Sequence, residues 1–224
     1  MKLRRLPLLL FPLLALAMLH QTIPLFMSAM NSLKVEIFLE DWQSRGKTPS
    51  ALAWETAYHA STTSLTQAPV PNGLLYSQLG ELYLWKAYSF AEEDPESAMR
   101  SALHAFKTDH HHRPTWPYPL LEMIAIKMRL QETDQEYDQW VTTFLASAHW
   151  RGNLLNEFVI DGLYHWPNLN RHQRLTLLET SAQALSMDRR ITRNLRSELD
   201  NTQLRPLFCL YLTLQPVDTS QLCR

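Results

Sequence analysis

The sequence predicts an all-α protein, and three observations lead to that class. Apolar residues recur at helical spacing in almost every segment after residue 30. Hydrophobic residues make up 46% of the 224 positions and charged residues 19%, the balance of a chain with a packed core. Only five glycines punctuate it: Gly46, Gly73, Gly80, Gly152 and Gly162. They are too scattered for a GxGxxG turn or a phosphate-cradling loop, which excludes nucleotide-binding folds of that kind. Many helices joined by short loops imply antiparallel neighbours, hence an α-solenoid or an irregular antiparallel bundle. Three regions are expected: an N-terminal segment over 1–30, a helical domain over 31–215 and a tail over 216–224.

The N-terminal segment places Lys2, Arg4 and Arg5 ahead of "LPLLLFPLLALAML" and "TIPLFMSAM", with no acidic residue before Glu36. This is either a secretory signal or a membrane anchor. Ala15-Leu16-Ala17 has the form of a cleavage site but leaves a short apolar run upstream. Leu6 to Met27 is long enough to cross a bilayer, roughly 33 Å as a helix. Pro7, Pro12 and Pro24 are tolerated in membrane helices, and the anchor is the reading adopted, as a transmembrane helix. The basic flank orients the remainder outside the cytoplasm. With those three cations set apart from a formal net charge of −1, the exported part is acidic on balance and has no general attraction for nucleic acid.

Leu33, Ile37, Phe38 and Trp42 form a stripe on a helix ending at Gly46, and Trp54, Ala57, Tyr58, Ser61 and Leu65 form the next. "APVPNG" breaks the chain at 68–73. Tyr76-x2-Leu79-Gly80-x2-Tyr83 has the spacing of the first helix of a tetratricopeptide repeat. Glu92-Glu93-Asp94 reads as a turn into a cap, with Asp94 capping and Pro95 at the first helical position. Ala98, Ala102 and Ala105 supply the small-residue stripe of the second helix, so the domain is expected to be tetratricopeptide-like (TPR-like). "PLLEMIAIKMRL" is apolar nearly all round and reads as a central helix. Amphipathic helices follow through Tyr137–Ala148, up to Pro167, and after an Asn170 cap. A short basic helix covers "DRRITRNLRSEL". "RPLFCLYLTL" reads either as a strand or as a buried helical end.

No chemical motif dominates. His110, His111 and His112 are consecutive, and neighbouring side chains on a helix diverge by about 100°, so they are expected to be a solvated helix end rather than a metal site. No H-E-x-x-H, G-x-S-x-G or nucleophilic cysteine context exists. The expectation is therefore no catalytic residue, no metal and no cofactor. Lys127 lies on the apolar side of its helix and needs a partner carboxylate or a ligand. Arg189, Arg193 and Arg196 share a helix face suited to lipid phosphates or an acidic glycan, or else simply solvated. Cys209 and Cys223 either close a disulfide, worth roughly 3 kcal/mol, or leave Cys209 half-buried and Cys223 free.

The segments "FLEDWQSRGKTPSALAWETAYHA", "LGELYLWKAYS", "RPTWPYPLLEMIAIKMRL" and "WRGNLLNEFVIDGLYHWPNL", in that order behind an apolar N-terminus, resemble the VpsP family of bacterial polysaccharide-biosynthesis proteins. The densest matches are Arg113, Pro114, Trp116, Pro117, Tyr118 and Lys127, then Trp85 and Trp166; Pro119 departs from the family's pattern. The resemblance implies a noncatalytic, membrane-anchored accessory protein of exopolysaccharide assembly, on the periplasmic side of the inner membrane. Its partners would be membrane components of the polymerisation and export machine, with the glycan or anionic lipid as a further contact. The alternatives are a glycan-modifying enzyme of unrecognised type and a helical-repeat adaptor of another envelope machine. Trp116, Tyr118 and Lys127 are the candidate binding residues at the proline-rich corner, where Trp116 is expected to be a buried anchor between helix pairs.

Overall fold

The computed structural model describes residues 6–90, 94–187 and 189–223, with backbone alone at 6–17, 19, 21 and 189. Every regular element among the described residues is helical. The chain falls into two compact units, Met1–Arg113 and Pro114–Arg224, where the sequence reads as one helical domain.

The first unit holds α1 (Leu6–Arg45), α2 (Ala51–Gln67), α3 (Gly73–Ser89) and α4 (Pro95–His112). α1 pairs with α2 and α3 with α4, while α2 also packs on α3. Ser50 caps α2 through Ala53 N–H, and Asp94 caps α4 by accepting from Ser97 N–H at 3.0 Å, with Pro95 just inside. Gly80 earns its place by contact: a Cβ there would lie 2.7 Å from the Phe106 ring of α4. Ala98, Ala102 and Ala105 are buried on the facing helix, so the α3–α4 hairpin closes small residues against aromatic ones. The core is aromatic. Trp54 is buried, donates its indole N–H to Leu82 O at 2.7 Å and stacks on Tyr58 at 5.0 Å, while Trp42 meets Trp85 edge-on at 5.8 Å.

α1 departs from expectation. It runs without a break through residue 30, and its buried line is Ser28, Asn31, Ser32, Val35, Leu39 and Trp42. Leu33 and Ile37, expected in the core, are 48% and 57% exposed. Hydrogen bonds set the register instead. Ser28 and Ser64 each donate a hydroxyl to the other's carbonyl at 2.8 Å, Asn31 donates to Gln67, and Ser32 donates to Gln78. Ile23, Leu25, Phe26 and Met27 are exposed just ahead of this ladder. Among the described residues no helix is long and apolar enough to cross a membrane. Most side chains of the apolar stretch from Leu6 lie outside the described residues, as do Lys2, Arg4, Arg5, Glu92 and Glu93.

The second unit holds α5 (Pro117–Arg129), α6 (Gln135–Ala148), α7 (Gly152–Tyr164), a 3-10 turn (Trp166–Asn168), α8 (Arg171–Met187), α9 (Arg189–Asn201) and α10 (Arg205–Leu212). α5 pairs with α6 and α7 with α8; α7 also packs on α5 and α9, and α10 lies on α8 and α9. Leu120, Ile124, Ile126 and Met128 of α5 are fully buried, as its all-round apolar sequence requires. Gly162 lets α8 approach, since a Cβ there would lie 2.4 Å from Leu177. The segment after Pro206 is a helix, not a strand, because Phe208 and Leu212 are a helical turn apart and both are fully buried. Cys209 and Cys223 are joined by a disulfide. It folds the tail back, burying Leu222 and bringing Gln221 O to Arg196 Nη1 at 2.9 Å.

Candidate functional site

Two cations at opposite ends of α5 mark the places where this unit does something chemically specific. At the C-terminal end, Lys127 is 4% exposed, and its ammonium donates to Asp134 at 2.7 Å and pairs with Glu136 at 2.9 Å. The Trp140 ring lies 5.4 Å from the nitrogen. Burial alone would push this amine down, but the two carboxylates outweigh it and hold its pKa raised. Lys127 in turn, with the Tyr137 N–H, holds Asp134 below the usual carboxylate value. Asp134 is the α6 N-cap, accepting from Tyr137 N–H at 3.0 Å. Lys127 therefore ties α5 to the start of α6, and its charge is used up within the protein.

The N-terminal end differs. Trp116 is the N-cap position of α5, and Pro117 and Pro119 occupy its first turn, where missing N–H groups cost no helical bond. Both prolines are buried, and they hold Trp116 and Tyr118 outward, 38% and 37% exposed. The two rings stack at 4.9 Å. Trp116 is thus not the buried anchor the proline-rich corner suggests; Trp54, in the other unit, has that role. Facing these rings is the turn between α6 and α7. Arg151 places its guanidinium carbon 4.9 Å from the Trp116 ring, 5.4 Å from Tyr118 and 4.2 Å from Trp150, and donates to the Tyr118 hydroxyl at 3.3 Å. Its Nε–H is buried without an acceptor, and among the described residues no carboxylate touches it.

The turn is braced from several sides. Arg151 N–H donates to Ala148 O at 2.8 Å, and Gln183 of α8 donates to His149 O at 2.9 Å. Gly152 lies so close to Met187 and Ile191 that a Cβ would meet both at 3.2 Å. Trp150 and Arg151 escaped the reading of the sequence as site residues. Their only signal was a Trp–Arg–Gly at a helix boundary, with nothing to tie it to residues some thirty positions earlier.

The remaining candidates fall elsewhere. Arg193 is exposed, Arg196 spends a donor on the tail, and the side chain of Arg189 lies outside the described residues. His111 and His112 are exposed, His112 stacking on Tyr76 at 5.6 Å, but His110 is half-buried, contrary to a wholly solvated helix end. Burial lowers its pKa against the opposing pull of Asp109, and its Nδ1 has no partner. Among the described residues no three His, Cys, Asp or Glu side chains are grouped to hold a metal. Asp161 and Glu157 on α7 both have pKa values raised by burial, with Arg129 opposing the shift at Asp161 from 3.5 Å. A groove of about 850 Å³ lies instead on α3 and α4, lined by Tyr76, Tyr83, Glu96, Arg100 and His104 among others. Compared with protein-family models, with curated proteins and with solved structures, the chain shows no match.

Proposed function

We propose that the protein is a noncatalytic accessory component of exopolysaccharide assembly, anchored in the inner membrane by its N-terminal segment, with a TPR-like helical domain outside the cytoplasm. The polysaccharide pathway comes from the resemblance of the quoted segments to the VpsP family. The basic flank and apolar stretch support the anchor and its orientation. A disulfide suits an oxidising compartment. The polar ladder from Ser28 to Gln78 supports a stiff junction, because α1 is fixed to α2 and α3 directly after its exposed apolar residues. The observation that carries binding over catalysis is the Trp116–Tyr118–Trp150–Arg151 patch, which is aromatic and part-exposed and holds a cation that no carboxylate touches among the described residues. Membrane proteins of the polymerisation and export machine are the proposed partners.

Deletion is expected to lower surface polysaccharide, and a C-terminal alkaline phosphatase fusion is expected to be active. The purified protein should turn over no glycan. Glycan cleavage abolished by Glu157→Gln or Asp161→Asn would replace this reading with the enzyme.

A further inference from the structure

Arg151 has five N–H donors in a rigid planar fork, and among the described residues only the neutral Tyr118 hydroxyl accepts from its side chain. Lys127, on the same side of the fold's chemistry as an aromatic-flanked cation, has two carboxylates. The charge at Arg151 is therefore spare. Beside it the Trp150 ring stands open. Trp150 is 61% exposed although a guanidinium covers one of its faces, so the other face is open to solvent. Trp116 and Tyr118 are each a little over a third exposed beside it. Proline-set backbone on one side and the Gln183 brace on the other hold these groups in place without a ligand, so little ordering is left to oppose binding.

We infer that this patch binds an acidic pyranose unit of a polysaccharide, with Arg151 pairing to its carboxylate and the open Trp150 face carrying its C–H surface. A free inorganic anion would use the guanidinium and leave the rings idle. An apolar helix would cover the rings and strand the cation, at the cost of an unpaired buried charge. A flat sugar ring bearing a carboxylate uses both. The formal net charge of −1 gives the chain no general pull on polyanions, so the salt dependence of binding here should be that of one ion pair. The inference rests on the proposed polysaccharide role only for the source of the sugar.

The test titrates the full-length protein in detergent micelles with trigalacturonic acid, maltotriose and glycerol 3-phosphate, read by tryptophan fluorescence and calorimetry. Trigalacturonic acid should bind, and maltotriose should bind at least about tenfold more weakly, the scale of one charge-assisted hydrogen bond. Arg151→Gln should lose about tenfold in affinity with an unchanged melting temperature, Arg151→Lys should lose less, and Trp150→Ala should weaken both sugars together. Equal affinity for maltotriose, or undiminished affinity in Arg151→Gln, would overturn the inference. Tighter binding of glycerol 3-phosphate than of the sugar acid would overturn it too and assign the patch to a lipid headgroup. Because the readout is affinity in vitro, its failure leaves the accessory role to stand or fall on the deletion phenotype, and the reverse.

Discussion

The two ends of α5 pose one physical problem and solve it in opposite ways. Each holds a cation against tryptophan, Lys127 beside Trp140 and Arg151 between Trp116 and Trp150. Lys127 is buried and answered by Asp134 and Glu136. Arg151 is half-buried and, among the described residues, is answered by a phenol rather than a carboxylate. A buried charge must be neutralised for the fold to exist, so its partners are part of the architecture. A half-buried guanidinium keeps part of its fork in water and needs no carboxylate for the fold to exist, so the aromatic frame around it is where we propose an outside ligand binds. The difference separates a joint from a site on one helix.

The joint should show the largest effect. Asp134→Asn with Glu136→Gln keeps the α6 cap but leaves Lys127 buried without an anion, and should cost about 3–5 kcal/mol in urea unfolding. Lys127→Met should cost about 1 kcal/mol or less, because Asp134 and Glu136 are 53% and 42% exposed and return to water. Equal costs would mean that the carboxylates, not the lysine, are the constrained partners.

The same joint sets a pH window. Asp134 is held below its ordinary 3.8, so its contribution is present above that value and is lost as pH falls through the lowered one. Lys127 is raised above its ordinary 10.5, so its contribution is present below that value and is lost as pH rises further. The stability difference between wild type and the Asp134→Asn/Glu136→Gln variant should shrink below the acidic limit and, on the alkaline side, begin to shrink before 10.5, because burial alone lowers the Lys127 pKa in the variant.

The smallest effect belongs to the site. Trp116→Ala should change stability by about 1 kcal/mol or less, the scale of exposed aromatic and cation contacts. Trp54→Ala, which removes a buried indole and its hydrogen bond to Leu82 O, should cost about 3–5 kcal/mol. A large cost at Trp116 would make the patch a second joint.

How much of this was legible follows from the range of each interaction. The helices were legible because periodicity and caps are local: Asp94 and Asn170 sit at helix starts as their side chains require. The need of Lys127 for a carboxylate was legible because an amine on an apolar face states its own requirement, and Asp134 lies seven residues on. The α1 stripe was misread because the interface is lined by Ser28, Asn31 and Ser32, and hydrogen bonds across 36 to 46 residues leave no apolar trace. Trp116 was misread because prolines fix a corner locally without fixing which way it faces. Arg151 was invisible for the same reason from the other side. Its proposed role as a site depends on a ring 33 residues away and on the lack, among the described residues, of a carboxylate against it.

The most direct test of the account measures melting temperature and trigalacturonic acid affinity side by side in Arg151→Gln and in Asp134→Asn/Glu136→Gln, the latter below its lowered melting point. The account predicts a crossover: Arg151→Gln keeps its melting temperature and loses about tenfold in affinity, while the double variant melts far lower and binds as the wild type does. Arg151→Gln that melts with the double variant, or a double variant that loses affinity while folded, would contradict the division of α5 into a joint and a site.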